Sequence, residues 1–333
     1  MKQYTVAVLG ATGAVGQQML RILQERNFPV GKLIALGSDR SVGTTVSFAG
    51  AQIPVEAASA DSFAGVDIVL GAAENQIALE FAPAIQAAGA VFVDNSSAFR
   101  QDPQVPLVVP QINPEDVKWH RGIISNPNCT TAIALTAIAP LRALSPIRSL
   151  TASTYQAVSG AGIQGPAELQ QQILALSRGE SYPPQVFAHQ IAYNLIPQIG
   201  PQQELGYTAE EMKLQYEGRK ILHLPDFTAS CTCVRVPVMR SHSVSACICF
   251  EDPVDPADAR EILSQAPGCR LLDDLEAGVY PMPLDASDQD LVLVGRLRRD
   301  LTDEERLHLW CCGDQLRKGA ATNAIEIAEL LIE

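Results

Sequence analysis

Tyr4-Thr5-Val6-Ala7-Val8-Leu9-Gly10-Ala11-Thr12-Gly13-Ala14-Val15-Gly16 sets out three kinds of residue in a fixed order. The β-branched and apolar run 4–9 predicts a buried strand. Three glycines then predict a tight turn, and residues 17–26 follow with helical periodicity. Strand, glycine turn and helix in this order open a dinucleotide-binding unit: glycines let the backbone approach a pyrophosphate, which rests on the unpaired N–H groups of the helix start. The spacing is GxxGxxG rather than GxGxxG, so the pattern alone is weak and its position directly after a strand carries the weight. A glycine turn with no ligand is the bland alternative. The candidates for cofactor contact are Gly10, Thr12, Gly13, Ala14, Val15 and Gly16.

The second strand, Lys32-Leu33-Ile34-Ala35-Leu36, should end beside the adenosine ribose. The turn after it reads Gly37-Ser38-Asp39-Arg40-Ser41. An acid there suits the free 2′-hydroxyl of NAD, whereas arginine with hydroxyls suits the 2′-phosphate of NADP. Arg40, Ser38 and Ser41 point to NADP; Asp39 dissents unless it caps the turn or faces solvent.

Bulk properties narrow the class. The chain has 333 residues, room for two domains, and a net charge of −13 without a lysine-rich run. That balance argues against nucleic acid or an anionic membrane as partner. No signal-peptide pattern precedes the first strand and no apolar run is long enough to span a bilayer, so a cytoplasmic enzyme is expected. Eight cysteines in a chain this long are too sparse for a disulfide scaffold and are expected to be reduced.

Organisation changes partway along. Up to about residue 128, strands alternate with helices (67–70, then 77–88, then 91–93), the rhythm of a parallel sheet. From 149 the strands are longer, at 150–155, 230–238, 243–250 and 291–298, and predict a mixed or antiparallel sheet. The expected fold is therefore α/β: a Rossmann-type parallel-sheet cofactor domain over 1–128, with a helix at 318–333 returning to it, plus an α+β mixed-sheet catalytic and dimerisation domain over 129–317. Residues 177–206, with four prolines, read as a partner-facing or substrate-covering loop.

Four stretches carry candidate chemistry. Ser125-Asn126-Pro127-Asn128-Cys129-Thr130-Thr131 puts a cysteine at the start of an apolar helix, where the dipole and free N–H groups favour a thiolate and later an oxyanion. Asp94-Asn95-Ser96-Ser97-Ala98-Phe99-Arg100 follows a strand of the first sheet, and Arg100 suits an anion. Ser153-Thr154-Tyr155-Gln156-Ala157-Val158-Ser159-Gly160-Ala161-Gly162 ends a strand with Gln156 before a glycine turn. Arg235-Val236-Pro237-Val238 and His242 flank a turn between two strands. Each alone is more readily read as structure; with a dinucleotide unit and a cysteine they read as a thiol-dependent dehydrogenase. One further expectation concerns Cys231, Cys233, Cys247 and Cys249: if their two strands pair about Arg240, all four sulfurs share one face, either as small packing residues or as a thiolate cluster able to bind zinc or oxidise.

The chain resembles the aspartate-β-semialdehyde dehydrogenases from end to end, through AVLGATGAVG, SDRS, DNSSAFR, VPLVVPQINP, SNPNCTT, STYQAVSGAG, GYTAEEMK, RVPV with His242, VGRLRRD and RKGAATNAIEIAE. The resemblance implies reversible, phosphate-dependent oxidation of L-aspartate 4-semialdehyde to L-4-aspartyl phosphate by NADP, at the branch towards lysine, methionine and threonine, in a homodimer without a metal. It implies Cys129 as nucleophile, His242 as acid/base and Gln156 as active-site glutamine. It also implies Arg235 for the substrate carboxylate, Glu210 and Lys213 for amino group and anion, and Arg100 for phosphate; the chemistry itself makes Asn128 and the Cys129 N–H candidate oxyanion donors. Ser159, Gly160 and Glu326 fall at cofactor positions. Thr44, Gln315 and Glu326 depart from the usual lysine, asparagine and glutamine, which puts cofactor affinity in doubt. N-acetylglutamyl-phosphate reductase and glyceraldehyde-3-phosphate dehydrogenase are the related alternatives. A non-catalytic relative or a thiol redox sensor would belong to other classes.

Overall fold

Alternation within β1 (Tyr4–Leu9) organises the first unit of the computed structural model, which describes residues 2–332. Val6 and Val8 face one side of the sheet, Ala7 and Leu9 the other, and all four are buried. A strand apolar on both faces needs a cover on each, which is the condition of a parallel sheet. The unit contains α1 (Ala14–Glu25), β2 (Val30–Gly37), β3 (Thr45–Phe48), β4 (Ala51–Ala57), β5 (Ile68–Gly71), α2 (Asn75–Ala87), β6 (Val91–Asp94) and β7 (Ile123–Ser125). Its seven strands run in the order β3-β4-β2-β1-β5-β6-β7, parallel except for the β3–β4 hairpin at the edge. Met19, Leu20, Ile22 and Leu23 of α1 cover the face of Val6 and Val8, and Ala78, Ala82 and Ile85 of α2 cover the other. The chain from Ala320 onward also belongs to this unit, with Ala324, Ile325, Ile327 and Ala328 in the same cluster as α1.

The second unit spans Cys129–Gly319. It holds α3 (Cys129–Ile138), β8 (Ile147–Gln156), α4 (Gln164–Ser177), α5 (Ala209–Leu222), β9 (Thr228–Arg235) and β10 (His242–Phe250). After these come α6 (Pro256–Gln265), β11 (Cys269–Leu271), α7 (Pro283–Ala286), β12 (Val292–Arg299) and β13 (Arg306–Gly313); α8 (Thr322–Leu330) lies in the first unit. The six strands run β11-β12-β13-β10-β8-β9, with β8–β9 and β11–β12 parallel and the rest antiparallel. This is the mixed sheet expected.

Pairing of β9 with β10 is overturned. β8 lies between them, parallel to β9 and antiparallel to β10. Cys231 and Cys233 therefore sit on the buried face, their sulfurs 3.8 Å apart, while Cys247 and Cys249 are half-buried on alternate positions of a strand whose intervening residues are buried. The four sulfurs do not share a face, so the thiolate cluster weighed against simple packing does not exist. The short connection 236–241, with Pro237, is what suggested a hairpin; it crosses over β8 instead.

Candidate active site

The glycine turn builds the first candidate site. Gly10 has φ +87, and a Cβ there would stand 2.6 Å from the Ala72 carbonyl oxygen; at Gly16 it would stand 2.2 Å from the Gly10 oxygen. Only glycine lets turn and helix close this tightly. Gly13 is the N-cap of α1 and sets no side chain over the helix end, which leaves the first N–H groups of the helix open to an anion. Beside this end lies a cleft of about 600 Å³ lined by Gly10, Thr12, Gly13, Ser38, Asp39, Arg40, Ser41, Ala73 and Phe81, among others. The Thr12 and Ser41 hydroxyls are 3.3 Å apart, tying the glycine turn to the turn after β2. Size, open helix end and a long-armed cation at the rim fit the adenosine and pyrophosphate of a dinucleotide. Ala14, Val15 and Gly16 stand in the first turn of α1.

In the second unit, α3 begins at Cys129, and every residue after it in the helix is buried. Asn128 immediately precedes it and is itself buried. Arg235, at the end of β9, stands close enough to Cys129 that a thiolate there would favour the charged guanidinium. Arg235 is buried, and desolvation lowers its pKa despite Cys129 and Glu210.

The backbone of one residue, Ala157, orients both Arg235 and His242. The carbonyl of Ala157 accepts from Arg235 Nη1 at 2.7 Å, and its N–H donates to His242 Nδ1 at 3.1 Å. A ring nitrogen that accepts has no proton, so the proton of neutral His242 rests on Nε2. Nε2 is buried and has no hydrogen-bond partner among the described residues. Complete burial, reinforced by Arg235, pushes the His242 pKa down to about 3. His242 follows Ser241, whose φ of +74 is rare for a residue with a side chain. That backbone is held by Gln315 Oε1, which accepts from Ser241 N at 2.8 Å, and by Ser287 Oγ, 2.9 Å from Ser241 Oγ.

Gln156, at the end of β8, donates through Nε2 to Glu210 Oε1 at 3.1 Å, and Lys213 Nζ donates to Glu210 Oε2 at 2.8 Å. Glu210 thus joins two of the expected site residues. Its neighbour Glu211 serves the backbone instead. With Thr208 it forms the capping box of α5, and its Oε1 accepts from Cys233 N at 2.9 Å. A Cβ on Gly160 would stand 2.7 Å from Arg235 Nη1 and 3.1 Å from His242 Nε2, so the backbone after β8 presses on both. Ser159 Oγ accepts from Gln315 Nε2.

A long segment without regular structure follows α4. Glu168 Oε2 accepts from Gln185 N at 2.8 Å and from Val186 N at 2.5 Å, and Gln172 Oε1 from Ile191 N at 2.9 Å and Ala192 N at 3.0 Å. Phe187, between these anchors, lies with its ring centroid 5.9 Å from the Arg235 guanidinium carbon. The segment read as partner-facing or substrate-covering is thus held down beside Arg235.

The remaining expected residues belong to the first unit. Arg100 is buried, with Nε donating to the Asn126 carbonyl at 2.9 Å and Nη2 to that of Asn95 at 2.7 Å. Glu326, on α8, accepts from Gln111 Nε2 at 3.1 Å. Sequence reading passed over Ala157, whose contribution is its backbone alone. It also passed over the capping box, although Thr208-x-x-Glu211 is a legible signal, and over Gln315 as a clamp.

Two family models match the chain: the semialdehyde dehydrogenase NAD binding domain over residues 5–120 and the semialdehyde dehydrogenase dimerisation domain over 138–318. The aspartate-semialdehyde dehydrogenase of Synechocystis sp. is 46% identical over 98% of this chain and 97% of that protein, and that of Prochlorococcus marinus is 46% identical over 98% and 96%. The crystal structure of aspartate semialdehyde dehydrogenase II from Vibrio cholerae, complexed with ASA, matches with a TM-score of 0.96 and 41% identity, over 100% of this chain and 99% of that one.

Proposed function

Because the chain belongs to the aspartate-semialdehyde dehydrogenase family, we propose that it oxidises L-aspartate 4-semialdehyde with NADP and phosphate to L-4-aspartyl phosphate, through a thioester on Cys129. In the biosynthetic direction the reaction runs in reverse, supplying lysine, methionine and threonine in the cytoplasm of the cell as a homodimer. The observation that carries the reading is that Arg235 is coupled both to Cys129, at the start of α3, and to His242, whose Nε2–H is unpartnered among the described residues. Two further points support it: a dimerisation-domain match over the catalytic residues after 138, and a relative solved with ASA.

The helix N-terminus and Arg235 favour the thiolate form of Cys129. Its sulfur adds to the aldehyde carbon, and the charge moves to oxygen. Nε2–H of His242 and the backbone N–H groups at the start of α3 are the donors suited to that oxyanion. A bound nicotinamide supplies the hydride acceptor. Collapse of the oxyanion leaves the acyl group on sulfur as a thioester. Phosphate oxygen then attacks, and the thiolate leaves again; sulfur serves well in both roles. The one proton released overall leaves from hydrogen phosphate. His242 therefore need not accept a proton at any step, and with Nδ1 already accepting from Ala157 it works as a donor rather than a base. Arg235 grips the substrate α-carboxylate as a fork, and Glu210, oriented by Lys213 and Gln156, receives the amino group. Arg100 and Lys213 offset the phosphate charge.

Ser38, Arg40 and Ser41, at the cleft rim, hold the 2′-phosphate, and Gly10, Thr12 and Gly13 the pyrophosphate. An NADP-bound relative, that of Candida albicans at TM-score 0.78, shares the fold. The test is phosphate-dependent NADPH formation from aspartate semialdehyde, run beside glyceraldehyde 3-phosphate and N-acetylglutamate semialdehyde. Faster turnover of either rival aldehyde, or turnover indifferent to phosphate, overturns the proposal.

A further inference from the structure

On the half-buried face of the second sheet, Cys247 of β10 is the direct cross-strand partner of His308 on β13. Asp300, in the turn between β12 and β13, completes a group in which the sulfur, the imidazole nitrogen and a carboxylate oxygen lie within 4.8 Å of one another. We propose that these three side chains form a binding site for a divalent transition ion of the zinc class, with water in the fourth position. This site is independent of the catalytic one.

Three observations carry the assignment. The donor set is one thiolate, one imidazole and one carboxylate, which suits zinc and its borderline neighbours and not magnesium or calcium, which take oxygen ligands. The scaffold is rigid: two ligands stand on paired strands, and the third is fixed from behind. Asp300 Oδ1 accepts from Thr302 N at 2.8 Å, Thr302 Oγ1 at 2.6 Å and Asp303 N at 3.2 Å. This leaves Oδ2 aimed at His308 Nε2, 2.6 Å away. Such an outer shell orients a metal-ligating carboxylate. The neighbouring cations are already engaged: Arg306 pairs with Asp303 at 3.0 Å, and Arg298, opposite His308, donates to the Arg296 carbonyl at 2.8 Å.

Binding releases the Cys247 thiol proton to solvent, while neutral His308 coordinates through Nε2 with its proton on Nδ1. The ion would staple the β12–β13 turn to β10. The ordinary alternative is a His–Asp hydrogen bond beside an inert thiol.

Cobalt(II) separates these readings, because a thiolate ligand gives an intense near-ultraviolet charge-transfer band that imidazole and carboxylate do not. The background is Cys129→Ser, which removes the catalytic thiol as a competing ligand. Titration of that protein with cobalt should give a thiolate band saturating at one ion per chain. Zinc should displace the cobalt and abolish the band. The band should vanish in Cys129→Ser/Cys247→Ser, and apparent affinity should fall tenfold or more in Cys129→Ser/His308→Gln and Cys129→Ser/Asp300→Asn. Absence of the band at saturating cobalt in the Cys129→Ser protein, or its persistence after Cys247→Ser, overturns the site. Two conservative variants keep the test decisive if one of the three substitutions prevents folding.

Discussion

Acidification should destabilise this protein through His242, and the size of the effect follows from its burial. The imidazole is fully buried and held down to about 3, against an ordinary value of 6.5, by desolvation first and by Arg235 second. In the unfolded chain it takes a proton near pH 6.5, which the folded site refuses until about pH 3. Between those values the unfolded state holds one more proton, so stability falls as pH falls, by about 1.4 kcal/mol per unit. From pH 7 to pH 5 this comes to about 2 kcal/mol. The loss starts below pH 6.5 and stops near pH 3, the reverse of a histidine stabilised by an ion pair. Replacing His242 with Gln removes the group and with it this share of the pH response. The assay is isothermal urea denaturation of parent and His242→Gln at pH 7 and pH 5, at fixed protein concentration. The parent should lose about 2 kcal/mol more than the variant across that interval. An equal loss in both proteins would mean that His242 is protonated in the folded state at pH 5, and the donor role derived from its neutral form would fall with it.

Cys129→Ser should fold normally yet lose nearly all turnover, since a hydroxyl remains protonated near neutral pH and its ester is a poorer acyl donor; turnover within tenfold of the parent would refute the nucleophile. His242→Gln should keep more kcat than His242→Ala, because an amide N–H can still donate to the oxyanion, and Ala activity equal to Gln would remove the donor role. Arg40→Ala should raise KM for NADP by about one to two decades, from the roughly 1.5–3 kcal/mol of one charge-assisted contact, with little change for NAD. Equal losses for both cofactors would move the ribose contact to Asp39.

Residues 4–16 and the chain's alternation up to about 128 made the first sheet legible, because β1 and β5 are apolar on both faces and the glycines directly follow β1. The second sheet was legible in kind and not in order. Strand pairing across β8 depends on contacts far apart in sequence, and the run from Arg235 to His242 looks locally like any hairpin connection. Cys129, Gln156, Arg235 and His242 stand out as candidates by side-chain chemistry and position, and Glu210 only through the family resemblance. Ala157 could not, because it acts through its backbone N–H and carbonyl, which carry no side-chain signal. The β3–β4 hairpin escaped notice for a simpler reason: it is an edge with one buried position in β3 and one in β4, Val46 and Val55, and carries little periodic signal.

Glu168 and Gln172 stand one helical turn apart on α4 and together clasp four backbone N–H groups of the segment beyond it. They divide one long closure into shorter ones, and each shorter span has fewer shapes to lose on folding. The conformation of residues 185–192 is therefore written in the helix rather than in the segment. Residues before 185 can change length at little cost, whereas one residue inserted between 186 and 191 would put the two clasps out of phase and displace Phe187 from Arg235. Anyone exchanging this segment between relatives to alter aldehyde preference must carry the two α4 side chains along, or the graft will bring a sequence without its shape.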